Sequence, residues 1–244
     1  MNFKKSLVAL AVCFSSPALF AQSGLLSDAP EEGYIGTIDF GYISTSGNTE
    51  TESLNGAFKY ITRISDEWST GVHITGMTNT NDDVREAERY TFVWNNRYDL
   101  SERSFVYSVV DYMNDYFGAY DYQAGAYVGY GHELFKDDTG HFSLGLGLGY
   151  RVNALEAGED EKENVVRGDL DYQYNISETA TFTQVVAAIW GQDFDTYASE
   201  TALRTKISDS LSLKLAYHVN YNSEVPVGAE KRDTTTTVSV SYSF

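Results

Sequence analysis

Charged side chains recur at every second position of several segments whose intervening residues are apolar. Such alternation puts apolar residues on one face of a strand and charged residues on the other. If the apolar face meets lipid, the opposite face carries the bases Lys59, Arg63, Arg89, Arg97, Arg151, Arg167, Arg204, Lys206 and Lys214. The acids Asp39, Asp99, Glu133, Asp169, Asp171 and Glu200 share that face. We therefore expect a charged, slightly basic interior.

Two hypotheses account for an interior of this kind. In the first, bases and acids pair and fill the centre of a structural barrel, because an unpaired buried charge is costly. In the second, arginines and lysines line a narrow passive channel that favours small anionic solutes. Six glycines on the inward register favour space in the interior, at Gly125, Gly129, Gly131, Gly145, Gly147 and Gly149.

Catalytic and metal-binding patterns are weak in this sequence. The four histidines have no serine and carboxylate partners at recognisable spacings, and no Gly-x-Ser-x-Gly elbow occurs. A lipase or protease of the outer membrane is the alternative, and we expect no catalytic residue, no cofactor and no enzyme. Acids cluster at 82–86 and 156–163 without the ordered spacing of a calcium loop. These segments predict solvated loops without a metal site, or a surface that binds a partner.

The composition limits the class of protein. The formal charge of −18 argues against nucleic-acid binding, which requires a basic patch. Lys4 and Lys5 precede a short apolar run and a small residue at Ala21, which predicts a signal peptide over 1–21. We expect residues 22–33 to form a short periplasmic segment and residues 34–244 to form one barrel. Because the only cysteine, Cys13, lies in the signal peptide, the mature chain would lack thiols.

The strands that must position the charges follow from the alternation. We predict twelve, near 34–43, 53–65, 68–78, 87–99, 104–114, 121–135, 141–153, 164–175, 180–190, 197–207, 210–221 and 234–244. Many are about ten residues long, as a tilted strand needs to cross a bilayer. The last strand ends on the alternating residues Val238, Val240, Tyr242 and Phe244, which predict a signal for the barrel-assembly machinery.

The connections alternate between short and long. Tight Ser- and Asp-containing turns at 65–67, 100–103, 137–140, 177–179 and 208–210 alternate with longer segments such as 78–86 and 154–163. Short turns on one side and long loops on the other are typical of outer-membrane barrels. Twelve strands lie between the eight that side chains fill and the 16–18 that enclose an open channel. Strand number therefore does not choose between the two hypotheses.

The segment Tyr42-Ile43-Ser44-Thr45-Ser46-Gly47-Asn48-Thr49 resembles the Ser-Thr-Gly-Asn-Thr stretch of the YdiY-like family, whose members are also called salt-induced outer-membrane proteins. Ser46 is an insertion relative to that stretch. Chain length and the ending Val238 to Phe244 are also similar to the family. The resemblance implies an outer-membrane barrel and no particular activity.

Together these patterns predict an all-β protein, an up-and-down antiparallel transmembrane β-barrel of about twelve strands integral to the bacterial outer membrane. Its partners would be outer-membrane lipids, the assembly machinery during biogenesis and small anionic solutes, and no nucleic acid.

Overall fold

The computed structural model describes residues 24–45, 51–117, 120–155, 160–225 and 231–244. Its twelve strands form one closed antiparallel barrel in which each strand pairs with its sequence neighbours and β1 pairs with β12. The predicted fold is confirmed. Within the described ranges, no helix is long and apolar enough to cross a membrane. The strands are β1 (Tyr34–Thr45), β2 (Thr51–Arg63), β3 (Trp68–Asn81), β4 (Val84–Asp99), β5 (Ser104–Asp115), β6 (Tyr120–Asp137), β7 (Gly140–Leu155), β8 (Glu161–Asn175), β9 (Ala180–Trp190), β10 (Thr196–Lys206), β11 (Leu211–Asn222) and β12 (Arg232–Ser243).

The first and last strands close the barrel. Their register runs from Thr37 opposite Ser243 to Phe40 opposite Val240. Beyond it, Gly36 and Phe244 exchange two backbone hydrogen bonds of 2.9 and 3.0 Å. The Phe244 ring fills the space that a side chain at Gly36 would need, since a Cβ there would lie 2.3 Å from the ring. Val238, Val240, Tyr242 and Phe244 all lie on the exposed outer face, and their role in assembly stays a prediction.

The two ends of the barrel differ in their connections. We call one end the short-turn end; it carries the connections β2–β3, β4–β5, β6–β7, β8–β9 and β10–β11. Serine side chains close turns there: Ser65 Oγ accepts a hydrogen bond from the Trp68 amide, and Ser208 Oγ accepts one from the Leu211 amide. At the opposite, long-loop end, the prediction of a long connection over 78–86 is wrong, because β3 continues to Asn81 and β4 begins at Val84. Asp82 and Asp83 form a two-residue turn with positive φ values of 47° and 63°, as a type I′ hairpin requires.

Residues 24–30 fold into the barrel and form an inner plug. Leu25 is fully buried in an apolar cluster with Phe105, Tyr107 and Val109. The Gly24 amide donates to Asp169 Oδ1 at 3.2 Å, and Arg97 Nη1 donates to the Leu25 carbonyl at 3.3 Å. Part of the segment 22–33 thus lies inside the barrel, because apolar side chains of β5 offer Leu25 a site away from water, and the periplasmic location of this segment stays a prediction.

Several inward glycines seat large side chains rather than open space. A Cβ at Gly131 would lie 2.2 Å from the Phe105 ring, and one at Gly129 would lie 2.6 Å from the Tyr107 ring. A Cβ at Gly145 would lie 2.5 Å from Leu25. The interpretation of these glycines as interior space is therefore wrong on the β5–β7 wall, where aromatic rings pack directly on the backbone.

Candidate functional site

The predicted charged residues share the inner face of the barrel. Ion pairs between strands that are not neighbours identify this face, because such contacts must cross the interior. Arg97 on β4 reaches Glu133 on β6 at 2.9 Å, and Arg167 on β8 reaches Asp111 on β5 at 3.4 Å. The strand registers put the following residues on that face: Lys59, Arg63, Arg89, Arg97, Glu133, Arg151, Arg167, Asp169, Asp171, Arg204, Lys206 and Lys214.

A network of four charges lies near the short-turn end. Asp99 accepts from Arg63 at 3.1 Å and from Arg97 at 2.6 Å, and Arg97 also pairs with Glu133. The Arg97 guanidinium stacks 3.7 Å from the centroid of the Phe105 ring. Because Arg97 and Glu133 are both buried, the loss of either charge would leave the other unpaired in the interior and lower the stability of the fold.

A second network crosses the middle of the barrel. Arg167 forms a two-pronged pair with Asp169, at 2.9 Å from Nε to Oδ2 and 2.8 Å from Nη2 to Oδ1. The Tyr107 hydroxyl donates to Asp169 Oδ2 at 2.9 Å. The same carboxylate accepts the Gly24 amide, so this network also holds the inner plug.

A third network lies towards the long-loop end. Arg151 pairs with Glu163, donates to Thr196 Oγ1 at 3.0 Å and stacks 4.0 Å from the Phe194 ring centroid. The Phe194 carbonyl also accepts from Arg151, at 2.8 Å. The connection between β9 and β10 is thereby folded into the mouth of the barrel.

The interior is less basic than expected. Asp111, Asp115 and Glu163 lie inside, where they pair with Arg167, Arg89 and Arg151. Sequence analysis did not place these acids there. In β5 the inner residues Phe105 and Val109 are as apolar as the outer ones, so alternation gave little signal on this strand. Buried carboxylates offset the guanidinium charges, and the expectation of a net basic interior is corrected.

The opposite wall, formed by β9 to β12 and β1 to β3, leaves open space. A cavity of about 300 Å³ lies towards the short-turn end and one of about 440 Å³ towards the long-loop end. Five residues line both cavities, and we call them the central belt: Asp39, Ala57, His73, Glu200 and Lys214. The two cavities therefore meet at the belt.

Charges in the belt lie close to one another. Lys214 Nζ lies 3.1 Å from Glu200 Oε1 and 3.7 Å from Asp39 Oδ2. His218 Nδ1 lies 3.6 Å from Glu200 Oε2. One ammonium thus faces two carboxylates at the point where the two cavities join.

The plug borders the short-turn cavity through an ion pair. Lys59 Nζ lies 2.5 Å from Asp28 Oδ2, and both side chains are half-buried. Burial by itself raises the pKa of the Asp28 carboxyl, but the attraction and hydrogen bond of the Lys59 ammonium, together with His141 and a backbone hydrogen bond, hold that pKa below its ordinary value. Arg204 lines the same cavity, whereas Lys206 is exposed at the end of β10.

The histidines were the candidates for catalysis. Ser104 Oγ lies 3.3 Å from His132 Nδ1 on the outer face, but it also accepts from the Tyr130 hydroxyl at 2.8 Å. Among the described residues, no carboxylate is recorded on His132, so the third member of a triad is missing. His141 pairs instead with Asp171, at 3.1 Å. The described residues also contain no group of three or more His, Cys, Asp or Glu that could hold a metal ion.

Some predicted features lie outside the described residues. These are the signal peptide 1–21, the motif positions 46–49, and Glu156 and Glu159 of the acidic segment 156–163.

A family model described as a protein of unknown function, DUF481, matches residues 38–244. The chain belongs to this family. The chain is also 27% identical over 210 residues to the uncharacterized protein YdiY of Escherichia coli strain K12, covering 86% of this chain and 82% of that protein. The resemblance inferred from the Gly47-Asn48 segment and the terminal strand is therefore confirmed.

Solved structures of low sequence identity share the fold of this DUF481 chain. The COG4313 outer membrane channel from Pseudomonas putida F1 aligns with a TM-score of 0.55 at 9% identity, over 88% of this chain and 97% of that one. The NanC porin aligns with a TM-score of 0.51 at 16% identity, over 85% and 98%. At these identities the likeness concerns architecture alone. The chain is a β-barrel of the outer-membrane type.

Proposed function

We propose that this protein is a narrow passive channel integral to the bacterial outer membrane, with its short-turn end in the periplasm. The observation that carries the proposal is the pair of cavities that meet at the central belt on the wall opposite the ion-pair networks. The outer face, with apolar side chains such as Leu146 and Leu148 more than 60% exposed, suits contact with lipid. During biogenesis the barrel-assembly machinery would read the terminal strand.

The charges of the belt favour a weak preference for cations. The sequence had suggested small anionic solutes, but Lys214 is held between Glu200 and Asp39, and the bases of the opposite wall are paired. An anion that approaches Lys214 therefore also meets two carboxylates. Charged rings at a constriction set ion selectivity, so single charge changes in the belt are expected to shift it.

Single-channel recording of the refolded protein in a planar bilayer under a salt gradient tests this proposal. Lys214→Gln should shift the reversal potential further towards cation selectivity, and Glu200→Gln should shift it the other way. Lys162→Gln serves as the control, since it removes the same charge at an exposed position on the outer face of β8. A folded barrel that passes no current, with the inner plug present or deleted, would contradict the channel.

A further inference from the structure

Above the central belt, most of the inward side chains of the long-loop cavity are Ser, Thr and Asn, although carbon atoms make up most of the surface that they present. Above the central belt its inward side chains are Ser53, Asn55, Thr75, Met77, Asn79, Thr235, Thr237 and Ser239, with His218 at its floor. In the part of the chain that the structure describes, no arginine lines it. A solute that enters from this end therefore first meets neutral groups that can both donate and accept hydrogen bonds.

Some of these groups retain free hydrogen-bonding capacity. Ser53 donates to Asn79 at 2.8 Å and Thr75 lies 2.5 Å from Thr91 Oγ1, so these hydroxyls are engaged. No side-chain hydrogen bond is recorded for Thr235 or Ser239 with any described residue. Both side chains line the cavity from one strand, two positions either side of Thr237.

The belt beneath contains buried polar atoms that lack a protein partner. Asp39 Oδ1 and His73 Nδ1 have no hydrogen bond to the described residues, and both residues line both cavities. A solute hydroxyl group can instead bond to the hydroxyls of Thr235 and Ser239, which line the cavity above these covered atoms. It gives up hydrogen bonds to water and regains them here, whereas an ion must also shed its hydration beside charges of both signs.

We infer that the solutes of this channel are uncharged, polyhydroxylated molecules of monosaccharide size. This inference rests on the proposed function. A cavity of about 440 Å³ lies within the ~300–1,000 Å³ range of small-molecule sites. The paired charges of the belt then make ions of either sign poor competitors of an uncharged solute, while among ions they keep the weak preference for cations.

Osmotic swelling of proteoliposomes tests the solute class with three probes that share one ring and differ in charge: glucose, glucuronate and glucosamine. We expect glucose to enter fastest. The double variant Thr235→Val with Ser239→Ala should slow glucose entry roughly two- to tenfold, the effect of losing an ordinary hydrogen bond or two. Thr205→Val, on the exposed outer face of β10 and outside the lining of both cavities, is the matched control and should leave entry unchanged.

Ion conductance of the same preparation separates the two proposals. If current flows but glucuronate or glucosamine enters as fast as glucose, the solute class is overturned and the channel stands. If current flows and the double variant passes glucose at the original rate, the role of the hydroxyls is overturned. If a folded barrel gives neither current nor swelling with the plug deleted, both proposals fail.

Discussion

The inner plug should leave its site when Leu25 is shortened. Leu25 is fully buried among Phe105, Tyr107 and Val109, whereas the remaining anchors of the plug are a few hydrogen bonds and the half-buried pair of Asp28 with Lys59. Truncation of a buried Leu to Ala costs ~2–5 kcal/mol. The strands keep their ladder hydrogen bonds, so we expect this cost to act on the docking of the plug. A cost of ~2.7 kcal/mol lowers the ratio of docked to undocked plug about 100-fold.

A cysteine at position 27 reports on docking. Ser27 is 1% exposed and its hydroxyl has no hydrogen-bond partner among the described residues, so Ser27→Cys should be tolerated. The only native cysteine, Cys13, lies in the predicted signal peptide, so the reporter would be the sole thiol of the mature chain. Its rate of modification by a membrane-impermeant maleimide measures the undocked fraction. Leu25→Ala should raise that rate by up to about 100-fold, and single-channel conductance should increase with it.

Two controls make the result decisive. Glu102→Cys in an exposed turn should react at the same fast rate with and without Leu25→Ala. Leu134→Ala removes the same atoms from an exposed position on the outer wall and should leave the Ser27→Cys rate unchanged. A Ser27→Cys rate as fast as that of Glu102→Cys in the parent protein, or one that Leu25→Ala leaves unaltered, would contradict a plug held in place by Leu25.

Three further predictions follow from the same contacts. Because the pKa of Asp28 is lower in the docked plug, docking is stabilised above the ordinary aspartate pKa of about 4 and weakened as pH falls through the lowered value. The thiolate fraction falls equally for both reporters, so the labelling rate of Ser27→Cys relative to that of the exposed Glu102→Cys should rise there, and Asp28→Asn should abolish this pH dependence. Gly131→Ala should lower the free energy of unfolding in urea by ~1–3 kcal/mol, whereas Gly56→Ala, with its nearest atom 3.8 Å away, should be neutral. Arg97→Met should cost ~3–5 kcal/mol in the same assay by leaving Glu133 unpaired, and adding Glu133→Gln should recover part of it; no recovery would contradict the pairing.

The strand pattern was predictable because lipid-facing and inward residues alternate on most strands. On β12, Val238, Val240, Tyr242 and Phe244 alternate with hydroxyl residues, and the register puts these apolar residues outside as expected. The prediction weakened on β5, where Phe105 and Val109 are apolar on the inner face. The inner plug was not predicted for a related reason. Its apolar stretch is too short to show an alternation pattern, so the sequence does not tell whether it lies inside the barrel or outside it.

The architecture, the number of strands and the inward register of the charged residues could be predicted, because they depend on local alternation and on turn-forming residues. Only the tertiary structure decided which charges pair, since Arg167 and Asp111, or Lys214 and Asp39, lie far apart in the chain and meet only when the barrel closes. It likewise decided where space remains. Bulky side chains and the plug occupy the wall of β4 to β8, and small and hydroxyl residues on the facing wall leave the cavities that meet at the central belt.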